Sequence, residues 1–318
     1  MKAVFLDYAS LDQNDLDFSE LHAVFENLTL YPASTEEQVS ERIQDVDVVI
    51  TNKVRISAEV IQQLPKLKLI LISATGTNNV DLVQAKKSGI VVCNCQAYGT
   101  SAVAQHTLML MLALSTSVIQ YHQAVQKGEW QKAQQFCLLD FPIVELAGKT
   151  LGIIGYGELG QAVAQLAKAF GMQIMVGALP NRPQREGRVQ LDELLSQADY
   201  VSLHCPLTDE TKDLIDAKVF DRMKSSAFLI NCARGGIVNE QALADALIHK
   251  KIAGAATDVL TVEPPKQGNV LLDTDIPNLI ITPHSAWGSV DARQRIVQQL
   301  MENVKAFQNG QPIRQVNL

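Results

Sequence analysis

The chain has little of what marks several large classes of protein. Aromatic residues fill 5% of its 318 positions, and only two of them are tryptophan. No basic run occurs and the net charge is −7, which argues against nucleic acid or an anionic membrane surface as the main partner. The longest apolar helical candidate, Leu108 to Leu114, falls far short of the roughly 18 residues that a membrane span needs. The N-terminus, Met1-Lys2-Ala3-Val4-Phe5-Leu6-Asp7, reads as a first strand, with no charged region leading into a cleavable apolar core. A cytoplasmic protein is expected. Five cysteines (Cys93, Cys95, Cys137, Cys205, Cys232) are an odd number and form no disulfide framework. Cys93 and Cys95 stand two apart like metal ligands, yet no His or Cys lies at finger-like spacing and both flank the apolar Val91-Val92. Reduced structural thiols and no metal are expected.

What is present suits two cores of ordinary size. Hydrophobic residues make up 47% of the chain, and the length fits two domains. Strand candidates Ala3–Tyr8, Val46–Asn52, Leu67–Ser73 and Ile90–Asn94 alternate with polar or helical stretches, the pattern of a parallel sheet covered by helices. From Ser101 to about Val125 a long helix is predicted, apolar on most faces and so largely buried. A polar, irregular stretch, Lys127 to Lys149, follows. Six further runs then read as strands: 151–155, 173–177, 200–205, 227–231, 254–259 and 279–282, as a doubly wound nucleotide domain would have. An amphipathic segment, Val290 to Phe307, closes the chain.

The sharpest motif is Gly155-Tyr156-Gly157-Glu158-Leu159-Gly160. Alone, G-x-G-x-x-G also fits an ordinary strand–turn–helix. Here it follows the apolar run 150–154 and opens an amphipathic helix, the context a dinucleotide fingerprint requires. Gly155 permits the tight turn, Gly157 lets backbone approach a pyrophosphate, and Gly160 lets helix pack on strand. The helix N-terminus offers unpaired N–H groups to the phosphates.

Three later segments fall near strand ends and carry groups suited to hydride chemistry: Asn231-Cys232-Ala233-Arg234-Gly235-Gly236, Asp258-Val259-Leu260-Thr261-Val262-Glu263-Pro264-Pro265 and Thr282-Pro283-His284-Ser285-Ala286-Trp287. Each also has a plain reading: a surface ion pair for Arg234, a turn cap for Glu263, a packed loop residue for His284. Together and in this order, the chain resembles the D-isomer-specific 2-hydroxyacid dehydrogenase family over essentially its whole length. The resemblance implies an α/β protein with a Rossmann dinucleotide-binding domain (100–285) inserted in a flavodoxin-like substrate domain (1–99 and 286–318), and an active site in the cleft. It also implies a homodimer, with the helix near 101–125 contributing to the contact. The regulatory extension of many phosphoglycerate dehydrogenases is not expected, since nothing follows the closing helix.

Carried over residue by residue, Arg234 would grip the substrate carboxylate and carbonyl, because its fork of donors matches a carboxylate bidentately. His284 would donate a proton to the substrate oxygen as hydride reaches C2. Glu263 would hold the imidazole and favour its charged form. Glu158 and Leu159 would offer backbone N–H groups to the phosphates, and Asp258 would accept from the nicotinamide carboxamide. Thr211 would touch the pyrophosphate side, with a helix N-cap as the plain alternative. Cys205, Cys232, Ala233 and Ala286 would complete the cofactor site. The other histidines (His22, His106, His122, His204, His249) are treated as structural.

One departure bears on the cofactor. NAD-binding domains carry an acid about 20 residues beyond the fingerprint for the ribose 2′-OH. Here the second strand runs out into Ala178-Leu179-Pro180, followed by Asn181, Arg182, Arg185 and Arg188. NADPH is therefore expected to be accepted and slightly favoured over NADH, with Arg182 as the contact; a solvated basic loop is the alternative. In the first domain, Ser73–Asp81 resembles the family's substrate loop, where N–H groups near Thr75, Gly76 and Thr77 form an anion nest. Asn52 at a comparable strand end, and Trp287 beside the proton donor, are the other substrate-side candidates.

Within the family the likeness is to glycerate dehydrogenases (hydroxypyruvate reductases), which also take glyoxylate. It rests on overall similarity, Ala97-Tyr98-Gly99-Thr100 and the Thr-Pro-His-Ser-Ala-Trp block. Expected, then, is reduction of a small 2-keto acid to the D-2-hydroxy acid. A D-lactate-type or bulkier keto-acid reductase is the alternative. A dinucleotide-sensing corepressor-like binding protein is a remote one.

Overall fold

The computed structural model describes residues 1–180 and 185–318. The chain forms two compact units, Met1–Gly99 with Gly288–Leu318, and Thr100–Trp287.

In the first unit, β1 (Lys2–Phe5), β2 (Asn27–Leu30), β3 (Val48–Thr51), β4 (Leu69–Ile72) and β5 (Val91–Cys93) form one parallel sheet. The order is β2-β1-β3-β4-β5, the flavodoxin-like doubly wound order. Val-Val-Ile-Thr in β3 and Leu-Ile-Leu-Ile in β4 are wholly buried, as central strands covered on both faces must be. β2 was not foreseen: Asn-Leu-Thr-Leu is a half-exposed edge strand with no apolar run. Asp81 caps the helix Leu82–Lys87 through Gln84 N–H, and Ser289 caps the closing helix Val290–Gln308 through Ala292 N–H.

The second unit holds a seven-stranded sheet. Its strands are β6 (Thr150–Ile154), β7 (Gln173–Gly177), β8 (Arg188–Val189), β9 (Tyr200–Leu203), β10 (Phe228–Asn231), β11 (Gly254–Thr257) and β12 (Leu279–Ile281). Counted from β6, the order β12-β11-β10-β9-β6-β7-β8 reads 7-6-5-4-1-2-3, the Rossmann order with a seventh strand added. Six strands were expected; the additional one is the two-residue β8, too short to show a pattern. All pairings are parallel, so every carboxyl end lies on one edge. The switch point falls between β6 and β9.

The predicted helix over 101–125 is broken. It runs Thr100–Thr116, then Val118–Gln126, with Ser117 between them at φ 51°. The two helices bend by 60°, and no single helix among the described residues is long and apolar enough to cross a membrane. Helix Thr100–Thr116 packs against the helix Glu158–Ala169 and under β10 and β11, and its Ser115 Oγ meets the buried hydroxyl of Tyr200 in β9 at 2.7 Å. A single turn, Glu129–Lys132, interrupts the stretch read as irregular.

Candidate active site

The dinucleotide end is shaped by backbone that tolerates no side chain. Gly155, at the end of β6, has φ +98°, and a Cβ there would lie 2.4 Å from Cys205 N. Gly155 and Cys205 therefore touch across the switch point. A Cβ on Gly160 would lie 2.2 Å from Gly155 O, so the first turn of the helix Glu158–Ala169 presses onto the strand end. Gly157 has open space instead, with nothing within 4 Å of a Cβ. Close packing at the first and third glycines with room at the second fits a pyrophosphate laid on the helix N-terminus. Glu158 turns its carboxylate away, accepting from Thr100 Oγ1 at 2.7 Å, while Leu159 packs into the core.

Cys205 is buried and its thiol is pushed up to about 11 by burial. Thr211 caps no helix: its hydroxyl donates to Pro206 O at 2.7 Å and accepts from Thr208 N–H at 2.8 Å, closing its own loop. Arg182 lies outside the described residues; of its neighbours, Arg188 pairs with Val176 at the sheet edge.

An imidazole–carboxylate pair lies beyond the other strand ends. His284 Nδ1 lies 2.5 Å from Glu263 Oε2, while Glu263 Oε1 accepts from Leu260 N–H at 2.7 Å. The carboxylate is thereby tied to its own loop at one oxygen and to the imidazole at the other. His284 sits at φ +54°, a left-handed conformation unusual for a residue with a side chain. Asp258 holds that turn in place. Its Oδ1 accepts from Thr282 Oγ1 at 2.5 Å and Ser285 N–H at 2.9 Å, its Oδ2 from Ala286 N–H at 2.9 Å, and its carbonyl from His284 N–H at 2.8 Å. Asp258 is only 1% exposed, so holding the turn is the role its geometry displays.

Arg234 follows β10 in a neighbouring turn. Asn231 Nδ2 donates to Arg234 O, and Asn231 Oδ1 accepts from Ala233 N–H, so the strand's last residue folds the chain back. The Arg234 side chain is exposed, with one guanidinium N–H on Ala233 O. The next residue, Gly235, packs against Leu260: a Cβ would lie 1.9 Å from Leu260 O. The turns bearing Arg234 and Glu263 are thus in contact. Glu240, at the start of the helix Glu240–Ile248, accepts from Thr261 N–H at 2.7 Å and Asn269 Nδ2 at 2.8 Å, pinning the same loop. Cys232 is buried beside Thr107 and its thiol is pushed up to about 12, mainly by burial. Trp287 is half-buried against the core below.

In the first unit, Asn52, Thr75 and Gly76 follow the adjacent strands β3 and β4. Asp7 organises the first of these loops: its carboxylate accepts from the N–H groups of Asn52 (2.8 Å), Lys53 (2.7 Å) and Val54 (3.3 Å). Asn52 Nδ2 donates to Ser10 Oγ at 2.9 Å, and Thr75 O accepts from Asn94 Nδ2 at 2.8 Å. Asp7, Glu240 and Thr282 were not anticipated as organising residues. For Asp7 and Glu240 a signal existed, since each is an acid at a strand end or helix start. Among the described residues no three metal-ligating side chains come together, and all five cysteines are unpaired.

A doubly wound sheet with this glycine cradle, and an imidazole–carboxylate pair beyond the same strand ends, defines a nicotinamide-dependent oxidoreductase. Residues 108–286 match the model of the D-isomer specific 2-hydroxyacid dehydrogenase NAD-binding domain. Over 311 residues, covering 98% of this chain and 97% of the relative, the sequence is 46% identical to a glycerate dehydrogenase of Methylorubrum extorquens. It is 39% identical to a hydroxypyruvate reductase of Blautia hydrogenotrophica, each chain being fully covered. Among solved structures, an acyclic imino acid reductase in complex with NADPH and D-Arg superposes with a TM-score of 0.85 at 29% identity, covering 99% of this chain and all of that one. The chain belongs to the D-isomer-specific 2-hydroxyacid dehydrogenase family.

Proposed function

We propose that this enzyme reduces hydroxypyruvate and glyoxylate to D-glycerate and glycolate. The observation that carries the reading is the 2.5 Å contact between His284 and Glu263 on a turn fixed by Asp258. A reduced nicotinamide dinucleotide supplies the hydride. His284 Nε2, opposite the nitrogen engaged by Glu263, gives the proton to the substrate oxygen. Glu263 holds the ring through Nδ1 and so aims Nε2 at the substrate oxygen. General acid help of this kind contributes roughly 10²–10⁴-fold. Arg234 binds the substrate carboxylate with its free guanidinium edge. Asn52, Thr75, Gly76 and Trp287 belong to the substrate side of the same proposal, the first three on the ground that they end adjacent strands.

We read NADPH as favoured, because β7 runs out into Ala178-Leu179-Pro180 without a carboxylate and arginines follow at 182, 185 and 188. An acid there would repel a 2′-phosphate. Homodimer formation is supported by exposed apolar side chains over 118–143, among them Trp130, Phe136 and Leu139. Five unpaired cysteines suit a reducing, cytoplasmic location.

The test is the initial rate of reduced nicotinamide loss, with NADPH and NADH each paired with hydroxypyruvate, glyoxylate and pyruvate. The highest kcat/KM is expected for hydroxypyruvate. Efficient pyruvate turnover beside poor hydroxypyruvate turnover would overturn the substrate assignment. In Arg182→Ala the NADPH to NADH ratio of kcat/KM should fall; an unchanged ratio refutes that contact.

A further inference from the structure

His106 lies on the helix Thr100–Thr116, with its side chain 15% exposed. Its Nε2 is 3.0 Å from Thr282 Oγ1 and 3.6 Å from Asp258 Oδ1. The directions of these bonds follow from counting protons. A threonine hydroxyl has one hydrogen and a carboxylate has none to give. Asp258 already accepts two backbone N–H groups, one on each oxygen, so its contact with Thr282 uses the threonine's hydrogen. Thr282 Oγ1 then faces His106 with a lone pair. Nε2 must carry a hydrogen, and the chain runs Nε2–H to Oγ1–H to Oδ1.

The geometry points to His106 as a positioning residue for the reaction: by donating to Thr282 it fixes the Asp258 carboxylate that holds the backbone after His284. The device has something to hold. His284 at φ +54° is in a conformation that costs a non-glycine residue energy, and it persists only where the surroundings over-determine it. Three hydrogen bonds to Asp258, from the N–H groups of residues 284, 285 and 286, supply that determination. Without the His106 donor, Thr282 is left with an unpaired acceptor in a half-buried place, and its hydrogen is free to leave Asp258. The carboxylate then loses one of its fixed points, and the aim of the His284 ring loosens. This inference rests on the reading of His284 as the proton donor.

Two measurements test it. Neutron crystallography of the wild-type protein in heavy water should show deuterium on His106 Nε2; a bare Nε2 overturns the proposal and requires no variant to fold. In kinetics, His106→Leu should lower kcat by about tenfold or more, since small misplacements of reacting groups are costly, with little change in KM for the keto acid. His106→Gln places an amide N–H near the same point and should recover most of kcat. Wild-type kcat in His106→Leu, or a His106→Gln as impaired as the leucine variant, overturns the proposal. His284→Ala separates the proton-donor role from the positioning role. If it retains activity, the proton-donor reading fails; if it is inactive beside a normal His106→Leu, only the positioning role fails.

Discussion

Replacing Gly235 by alanine adds one methyl group between two turns of the site. Gly235 is not in the left-handed region, so alanine meets no backbone obstacle there and the effect is steric. The new Cβ would lie 1.9 Å from Leu260 O, 2.1 Å from Leu260 C and 2.6 Å from Thr261 N, all backbone atoms. Real Cβ atoms essentially never approach within 3.0 Å. The turns must therefore separate by about 1 Å or more before the contact is tolerable. Leu260 N–H is also the donor that fixes Glu263, and Glu263 holds His284. A displacement of about 1 Å in such a chain costs on the order of 10²-fold in rate, or about 2.7 kcal/mol of transition-state stabilisation. Overpacking adds a folding cost of about 1–3 kcal/mol. The assay is kcat/KM for hydroxypyruvate with saturating NADPH, with thermal melting to confirm folded protein. A folded Gly235→Ala enzyme with wild-type kcat/KM would refute the contact-driven positioning of Glu263.

Gly160→Ala forces a Cβ to 2.2 Å from Gly155 O, so dinucleotide affinity measured by fluorescence titration should drop with thermal stability; unchanged binding contradicts the cradle. His204 bonds Ser202 Oγ through Nε2 at 2.9 Å, while its buried Nδ1 finds no partner among the described residues. Burial lowers its pKa from 6.5 to about 4. Between those values the unfolded chain binds the proton and the folded chain does not, so stability should rise with pH across that window. The contribution is at most about 3 kcal/mol. Urea midpoints against pH should flatten there in His204→Asn; an identical slope would show that His204 does not titrate this way.

The central strands were legible because parallel strands covered on both faces are written as continuous apolar runs, as at Leu69–Ile72 and Tyr200–Leu203. β2 and β8 escaped because an edge strand keeps half its surface exposed and a two-residue strand has no period. The break at Ser117 was not visible either. No proline or glycine marks it, and the short polar run Ser115-Thr116-Ser117 is followed at once by the apolar Val118-Ile119. In the site, the fingerprint glycines and the order of the arginine, glutamate and histidine segments were readable as blocks. What ties the blocks together was not. Thr282 meets His106 across 176 residues, and Asn52 meets Asp7 across 45, so these pairs exist only once sheet order is known. The β2-β1-β3 order that sets Asp7 beside Asn52 depends on a crossover with no local signature.

The role of His284 as proton donor in reduction of a small 2-keto acid underlies every other assignment at this site. It is tested most directly by kcat/KM for hydroxypyruvate in His284→Ala against wild type, with dinucleotide affinity measured on both. A loss of roughly 10²–10⁴-fold is expected, with affinity nearly unchanged. Wild-type turnover by the alanine variant would contradict it.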